Sequence, residues 1–329
     1  MSPAKAFALY QHKLATLPKP GGNGCHSALL GVANLGIMAG LSQERILSDI
    51  RQSIPAGGRT VPDSEIMAAI QRAAQDAGDH RTMQRPPPVR PMFPDPMKAR
   101  LEFIEKGRAL SGVSAAGDLK SAFYDKSAVR LGSGSDASDA VLLLENLYAK
   151  DEKVFIGKQY DGKASVRSVG EWISIMDQAA KAEQPAAFPY LIINPLTGLV
   201  GLTKGGKESY RADSCVAAYR FLLGEFDGLP LEDQLAFWAG FPAPIAALTF
   251  SGGKSVHALI RVDCADRAEW EADVEQKLFG KILRPMGIDS SCRNEARLSR
   301  LPGHFRADKQ QWQRLLYLNP RPSMKGVFA

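Results

Sequence analysis

Cysteine is scarce in this sequence. The four present, Cys25, Cys215, Cys264 and Cys292, lie far apart and make no Cys-x-x-Cys pair. That spacing argues against a zinc ribbon, so no zinc is expected and the thiols read as reduced core or surface groups. Long apolar runs are also missing. The most apolar stretch, residues 28–41, contains Asn34 and is too short to span a bilayer. Nothing in residues 1–10 resembles a cleavable signal, so a cytoplasmic protein with no membrane partner is expected. No internal repeat occurs. A nucleoside-triphosphatase loop is absent too: Gly252-Gly253-Lys254-Ser255 has the ending of one, but the motif needs a glycine five residues before Gly253, and Leu248 stands there. After Ser255 the pattern continues as a strand, where such a loop would open a helix.

What is present is enough apolar material for a sizeable core, and an excess of positive charge. The 329 residues are 45% hydrophobic, sufficient for two domains. A net charge of +6 and a pI near 9.1 fit a polyanionic partner.

Residues 1–80 pattern as a small helical domain. Ser42 is placed to cap a helix carrying Ile46, Ile50 and Ile54, and Asp63 to cap one carrying Ile66, Ala69, Ile70 and Ala73, with Gly78 as its stop. Residues 81–97 hold Pro86, Pro87, Pro88, Pro91, Pro94 and Pro96 among basic residues and read as a semi-rigid linker. In residues 98–329 helices are expected over 99–112, 140–148, 168–182, 231–238 and 266–283. A strand is expected over 154–157, and residues 190–202 read as two strands around a Pro/Gly turn. Lys204, Lys207 and Arg211 follow and are candidates for a secondary contact with phosphates.

Three polar signatures sit in apolar surroundings between residues 218 and 303. In the first, Tyr219 to Leu223 read as a buried strand that ends in Glu225-Phe226-Asp227. On a strand, residues two apart point the same way, so the two carboxylates repel each other unless one is protonated or a cation lies between them; a hard divalent ion satisfies both. The second is a predicted β-hairpin: residues 245–250, a Ser251-Gly252-Gly253-Lys254 turn, and residues 255–262, with Ser255, His257 and Arg261 on one face. The third is Gly287-Ile288-Asp289, followed by Arg293, Arg297 and Arg300; guanidinium forks match phosphate oxygens. Asp263 competes with Asp289 as the third acid but reads as a surface strand end. His304 and Trp312 carry no assignment.

The order of these pieces resembles the archaeo-eukaryotic primase superfamily, and most closely the primase-polymerases of plasmids and phages, over roughly residues 98 to 320. Glu225-Phe226-Asp227 matches its first motif, Ser255-Val256-His257 its second and Ile288-Asp289 its third. Many members carry Asp before Glu in the first motif; here the order is reversed and the ligand set is kept. The resemblance implies an α/β (α+β) fold with a palm like an RNA-recognition motif, residues 98–329 as the catalytic domain, and residues 1–80 as a helical accessory domain. It implies DNA primase or primase-polymerase activity in the replication of a plasmid, phage or other mobile element. Glu225, Asp227 and Asp289 would hold two Mg2+ or Mn2+ ions, and Lys254, Ser255, His257, Arg297 and Arg300 would bind the nucleotide. Arg297 and Arg300 are three apart and face opposite ways in an ideal strand, so only one would reach it without a bulge. Partners would be a single-stranded DNA template and NTPs or dNTPs. Unwinding would fall to a separate helicase, since this chain has no helicase motif. The alternatives are a catalytically inactive replication-initiation or origin-binding module and a metal-dependent nuclease.

Overall fold

The computed structural model describes residues 3–20, 25–82, 92–112, 118–132, 134–203 and 205–328. The chain divides into two compact units, Met1–Pro88 and Val89–Ala329. The first is all helical: α1 (Pro3–Ala15), α2 (Cys25–Met38), α3 (Gln43–Ser53) and α4 (Asp63–Thr82). Ser42 caps α3, accepting the Arg45 N–H at 3.2 Å. Ile46 and Ile50, one turn apart, then bury against Tyr10, Leu29, Val32, Ile66 and Ile70. Two expectations change. Asp63 is the first residue of α4 and not the residue before it, and α4 runs through Gly78 to Thr82. A lone glycine weakens a helix by about 1 kcal/mol without ending it. The segment expected as a linker is entered by helix at both ends, by α4 to Thr82 and by α5 from Pro96; residues 83–91 lie outside the described residues.

The second unit mixes helices with antiparallel sheets and is of the α+β class. Its elements are α5 (Pro96–Ser111), α6 (Leu119–Lys126), α7 (Ser138–Leu147), β1 (Lys153–Gly157), β2 (Val166–Ser168), α8 (Val169–Lys181), β3 (Tyr190–Ile192), β4 (Gly201–Leu202), β5 (Glu208–Ser209), β6 (Tyr219–Gly224), α9 (Leu231–Gly240), β7 (Ile245–Phe250) and β8 (Val256–Cys264). Then come α10 (Arg267–Glu269), which runs on as the wider-wound helix Trp270–Leu283, and β9 (Leu298–Arg300), β10 (Phe305–Arg306), β11 (Gln311–Trp312) and β12 (Arg314–Leu318). Local signals set the helix starts. Asp95 caps α5 by accepting from Met97 N and Lys98 N, with Pro96 in its first turn. Ser168 and Glu171 form a reciprocal capping box at α8.

Two four-stranded sheets position the site, in the orders β2-β1-β3-β9 and β12-β7-β8-β6. Every pairing within them is antiparallel. Residues 190–202 do supply two strands, β3 and β4, but these do not pair with each other. β3 pairs with β1 and β9, while β4 pairs with β5. Asn194 explains the departure. Buried, it uses Nδ2 to donate to the carbonyls of Phe221 and Glu295, and Oδ1 to accept from the amides of Arg220 and Phe221. The side chain is fully satisfied and ties the end of β3 to β6 of the other sheet. β9 lies in the first sheet. The apolar residues 315–318 form β12 at the edge of the second sheet. One large apolar core packs the sheets against α9, whose residues from Gln234 to Gly240 are all buried.

Candidate functional site

β6 ends at Gly224, and the carboxylates follow where the chain leaves the sheet. Gly224 lies under an indole: a Cβ there would sit 2.6 Å from Trp238 Cη2. Phe226 then plunges into the core against Phe237 and Trp238 at 5.0 and 6.1 Å between rings. Glu225 is held at the edge of that core and is 9% exposed, while Asp227 is exposed. Both carboxylates line the same cleft, as expected, with Phe226 buried between them, although the backbone has left the sheet; there the Glu225 carbonyl accepts the Asp289 N–H at 3.0 Å.

That bond brings the first and third signatures together. Arg297 Nη2 stands between the two acids, 3.4 Å from Glu225 Oε1 and 3.3 Å from Asp289 Oδ2. Asp289 also accepts from Ser291 N at 3.0 Å and from the Ser291 hydroxyl, so it caps the turn over Ser290–Arg293. Donor atoms of Glu225, Asp289 and Cys292 all lie within 4.8 Å of one another. Burial pushes the Cys292 thiol far up, which keeps it protonated and a poor ligand for a hard ion. Asp227 does not join this group. Asp263, the competing third acid, is exposed and pairs with Arg261 at 2.7 Å. Arg261 also donates to the Pro320 carbonyl at the far end of β8 and takes no part in the site.

The second signature faces Glu225 from the neighbouring strand. His257 Nε2 lies 2.6 Å from Glu225 Oε2. On its other side Nδ1 accepts the Arg300 amide at 3.3 Å and contacts Ser299 Oγ at 3.1 Å. An accepting Nδ1 assigns the proton to Nε2, aimed at the carboxylate. Burial alone would raise the Glu225 carboxyl, but the hydrogen bonds from His257 and Arg297 and the charge of Arg297 outweigh it and hold Glu225 below the usual carboxylate range. Ser255 is buried and closes the hairpin turn on Ser251, through Oγ–Oγ at 3.1 Å and through Ser255 N to Ser251 Oγ at 3.2 Å. Lys254 Nζ reaches across to the Asp227 carbonyl at 2.9 Å.

Glu225, Asp227, Lys254, Ser255, His257, Arg297 and Arg300 line one cleft of about 740 Å³; Asp289 stands behind it, bonded to Arg297. Arg297 and Arg300 both reach the cleft because Arg297 precedes β9, so strand alternation does not govern it. Arg300 stacks on Tyr190, 4.6 Å from its ring centroid. Arg306 and Lys309, which no motif or pattern marks, line the same cleft from the β10–β11 hairpin; Arg306 Nη1 donates to the Ser251 carbonyl at 3.4 Å. Only the folding back of that hairpin, more than fifty residues on, brings them there. Five cations, Lys254, Arg297, Arg300, Arg306 and Lys309, face two carboxylates among the described lining residues. The cleft therefore favours an anion of several charges. His304 is structural: its Nδ1 meets the Ala186 carbonyl at 2.7 Å, and burial lowers its pKa. Trp312 packs on Phe305 with 5.1 Å between rings. Lys204 lies outside the described residues. Lys207 and Arg211 do not line the cleft. Among the described residues no helix is long and apolar enough to cross a membrane.

No protein-family model matches the chain, and no curated protein matches it. Among solved structures, the archaeo-eukaryotic primase domain of the cyanophage S-2L primase-polymerase aligns with 56% of this chain and 91% of its own length, at 18% identity and a TM-score of 0.37. That overlap is too slight to carry an argument about the site.

Proposed function

We propose that this chain is a metal-dependent nucleotidyltransferase of the primase-polymerase kind, which extends a strand on a single-stranded DNA template from NTPs or dNTPs. The observation that carries the reading is the joining of Glu225 and Asp289 through one cation at the wall of a cleft rich in positive charge. The donors fit Mg2+ or Mn2+: two carboxylates whose repulsion already calls for a positive charge between them, a place Arg297 fills. Glu225 and Asp289 would hold the ion, and Asp227 on the rim is the candidate third ligand. When bound, a divalent ion activates the attacking 3′ hydroxyl and neutralises the leaving pyrophosphate. Arg297, freed from the carboxylates, turns to the phosphate oxygens. Lys254, Ser255 and Arg300 grip the triphosphate, and His257 orients Glu225 while Ser299 and the Arg300 amide hold the imidazole. In this reading the β6, β7 and β8 sheet serves as the palm, and the helical unit is an accessory to replication of a mobile element.

The test is incorporation of labelled nucleotide on a single-stranded template, with and without primer, in magnesium and then manganese. Wild type is expected to extend. Glu225→Gln and Asp227→Ala are expected to lose about a hundredfold or more, as removal of a charge-stabilising group does. Tight strand binding without incorporation under any condition would move the chain to the non-catalytic origin-binding reading. Shortening of the strand would make it a nuclease.

A further inference from the structure

The loop between β1 and β2 connects the cleft to a second groove. Gln159 lines the cleft, and Asp161, two residues on, lines a groove of about 510 Å³ whose wall includes Arg167 and Trp172. Two residues span at most about 7 Å, so the two depressions are neighbours. Tyr160 stands between them and is 85% exposed.

Its loop is built and not slack. Asp161 Oδ2 accepts from Lys158 N at 2.7 Å and from Ser165 Oγ at 3.4 Å, and Asp161 N donates to the Lys158 carbonyl at 3.2 Å. A Cβ at Gly157 would lie 2.7 Å from Ser165 Oγ and 2.8 Å from Asp161 Oδ2, so the glycine is what lets the loop close. The Asp161 charge is used within the loop. Beyond it, two exposed cations lie over rings of the body: Lys163 Nζ is 5.9 Å from the Tyr210 centroid, and the Arg167 guanidinium carbon is 5.3 Å from that of buried Trp172.

We propose that this loop and groove carry a single-stranded nucleic acid to the cleft, with one base stacked on Tyr160 and phosphates held by Lys163 and Arg167. The inference rests on the nucleotidyl-transfer reading above and deepens it. An exposed aromatic face followed by exposed cations suits a single strand, because an unpaired base offers a face to the ring while the backbone needs positive charge. A paired base offers Tyr160 no free face.

The test is fluorescence anisotropy of a labelled single-stranded 20-mer with the full chain across a salt series, run beside binding of a fluorescent ATP analogue with magnesium. Tyr160→Ala is expected to weaken strand binding about tenfold. The double variant Lys163→Ser with Arg167→Ser is expected to flatten the log–log salt slope by about 1.4, the loss of two phosphate contacts on a single strand. Analogue binding should match wild type in both variants. Strand affinity and salt slope unchanged in both variants would overturn the track, as would a blunt duplex binding as tightly with the same sensitivity to Tyr160→Ala. Failure of wild type to bind the analogue would count against the proposed function alone; a single-strand affinity that still depends on Tyr160 would support the track.

Discussion

Asp139 is wholly buried at the start of α7. Its Oδ2 accepts the Leu315 N–H at 2.9 Å, and its Oδ1 has no partner in the structure. Burial pushes its carboxyl up to about 6 from 3.8. The folded state therefore favours the protonated form; that stability is fully present below about pH 4 and is lost as pH rises through 6. Asp139→Asn keeps an acceptor for Leu315 and removes the titration. In paired denaturant melts, the stability of the variant relative to wild type should rise by about 3 kcal/mol between pH 4 and pH 7. A flat difference would show that Asp139 does not titrate in this way. Nothing in the sequence marks this residue, because the strand that buries it lies 176 positions away. The polar residues at 225, 255 and 257 were easier to single out, since each interrupts an apolar strand pattern that is itself local. Arg306 and Lys309 interrupt nothing and could not be found that way.

Elements were legible where their ends are chemical and local. Ser42, Ser168 and Asp95 each satisfy backbone donors within three residues, so α3, α8 and α5 begin close to where composition places them. Sheet partners were not legible in the same way, because pairing is decided by distant contacts: one buried Asn194 sends β3 away from β4 and binds its end to β6. The crossing of α5 and α9 is another feature that no pattern announces. A Cβ at Gly107 would lie 1.8 Å from the Ala236 carbonyl oxygen, and one at Gly240 would lie 2.0 Å from that of Phe103. Backbone meets backbone there, so neither helix has a side chain to move aside. Gly107→Ala should destabilise the larger unit by at least the 1–3 kcal/mol typical of overpacking, about 3 kcal/mol, despite its gain in helix propensity. A chemical-denaturation midpoint equal to or above that of wild type would contradict the close crossing.

At the scale of the molecule, a modest excess of positive charge, +6 over 329 residues, is concentrated where it has an effect. Five cations line one cleft, while the acids they surround are held by bonds between distant signatures. The central claim is that Glu225 and Asp289 form a divalent-cation site which Arg297 fills in the ion's place. Titration of Mn2+ into the full chain, followed by the loss of the free-ion paramagnetic resonance signal, tests it most directly. Wild type should bind Mn2+, and both Glu225→Gln and Asp289→Asn, the latter keeping a capping side chain for the Ser290–Arg293 turn, should weaken binding at least about tenfold, the low end for loss of a metal ligand or its support. Equal Mn2+ binding by all three proteins would contradict the account.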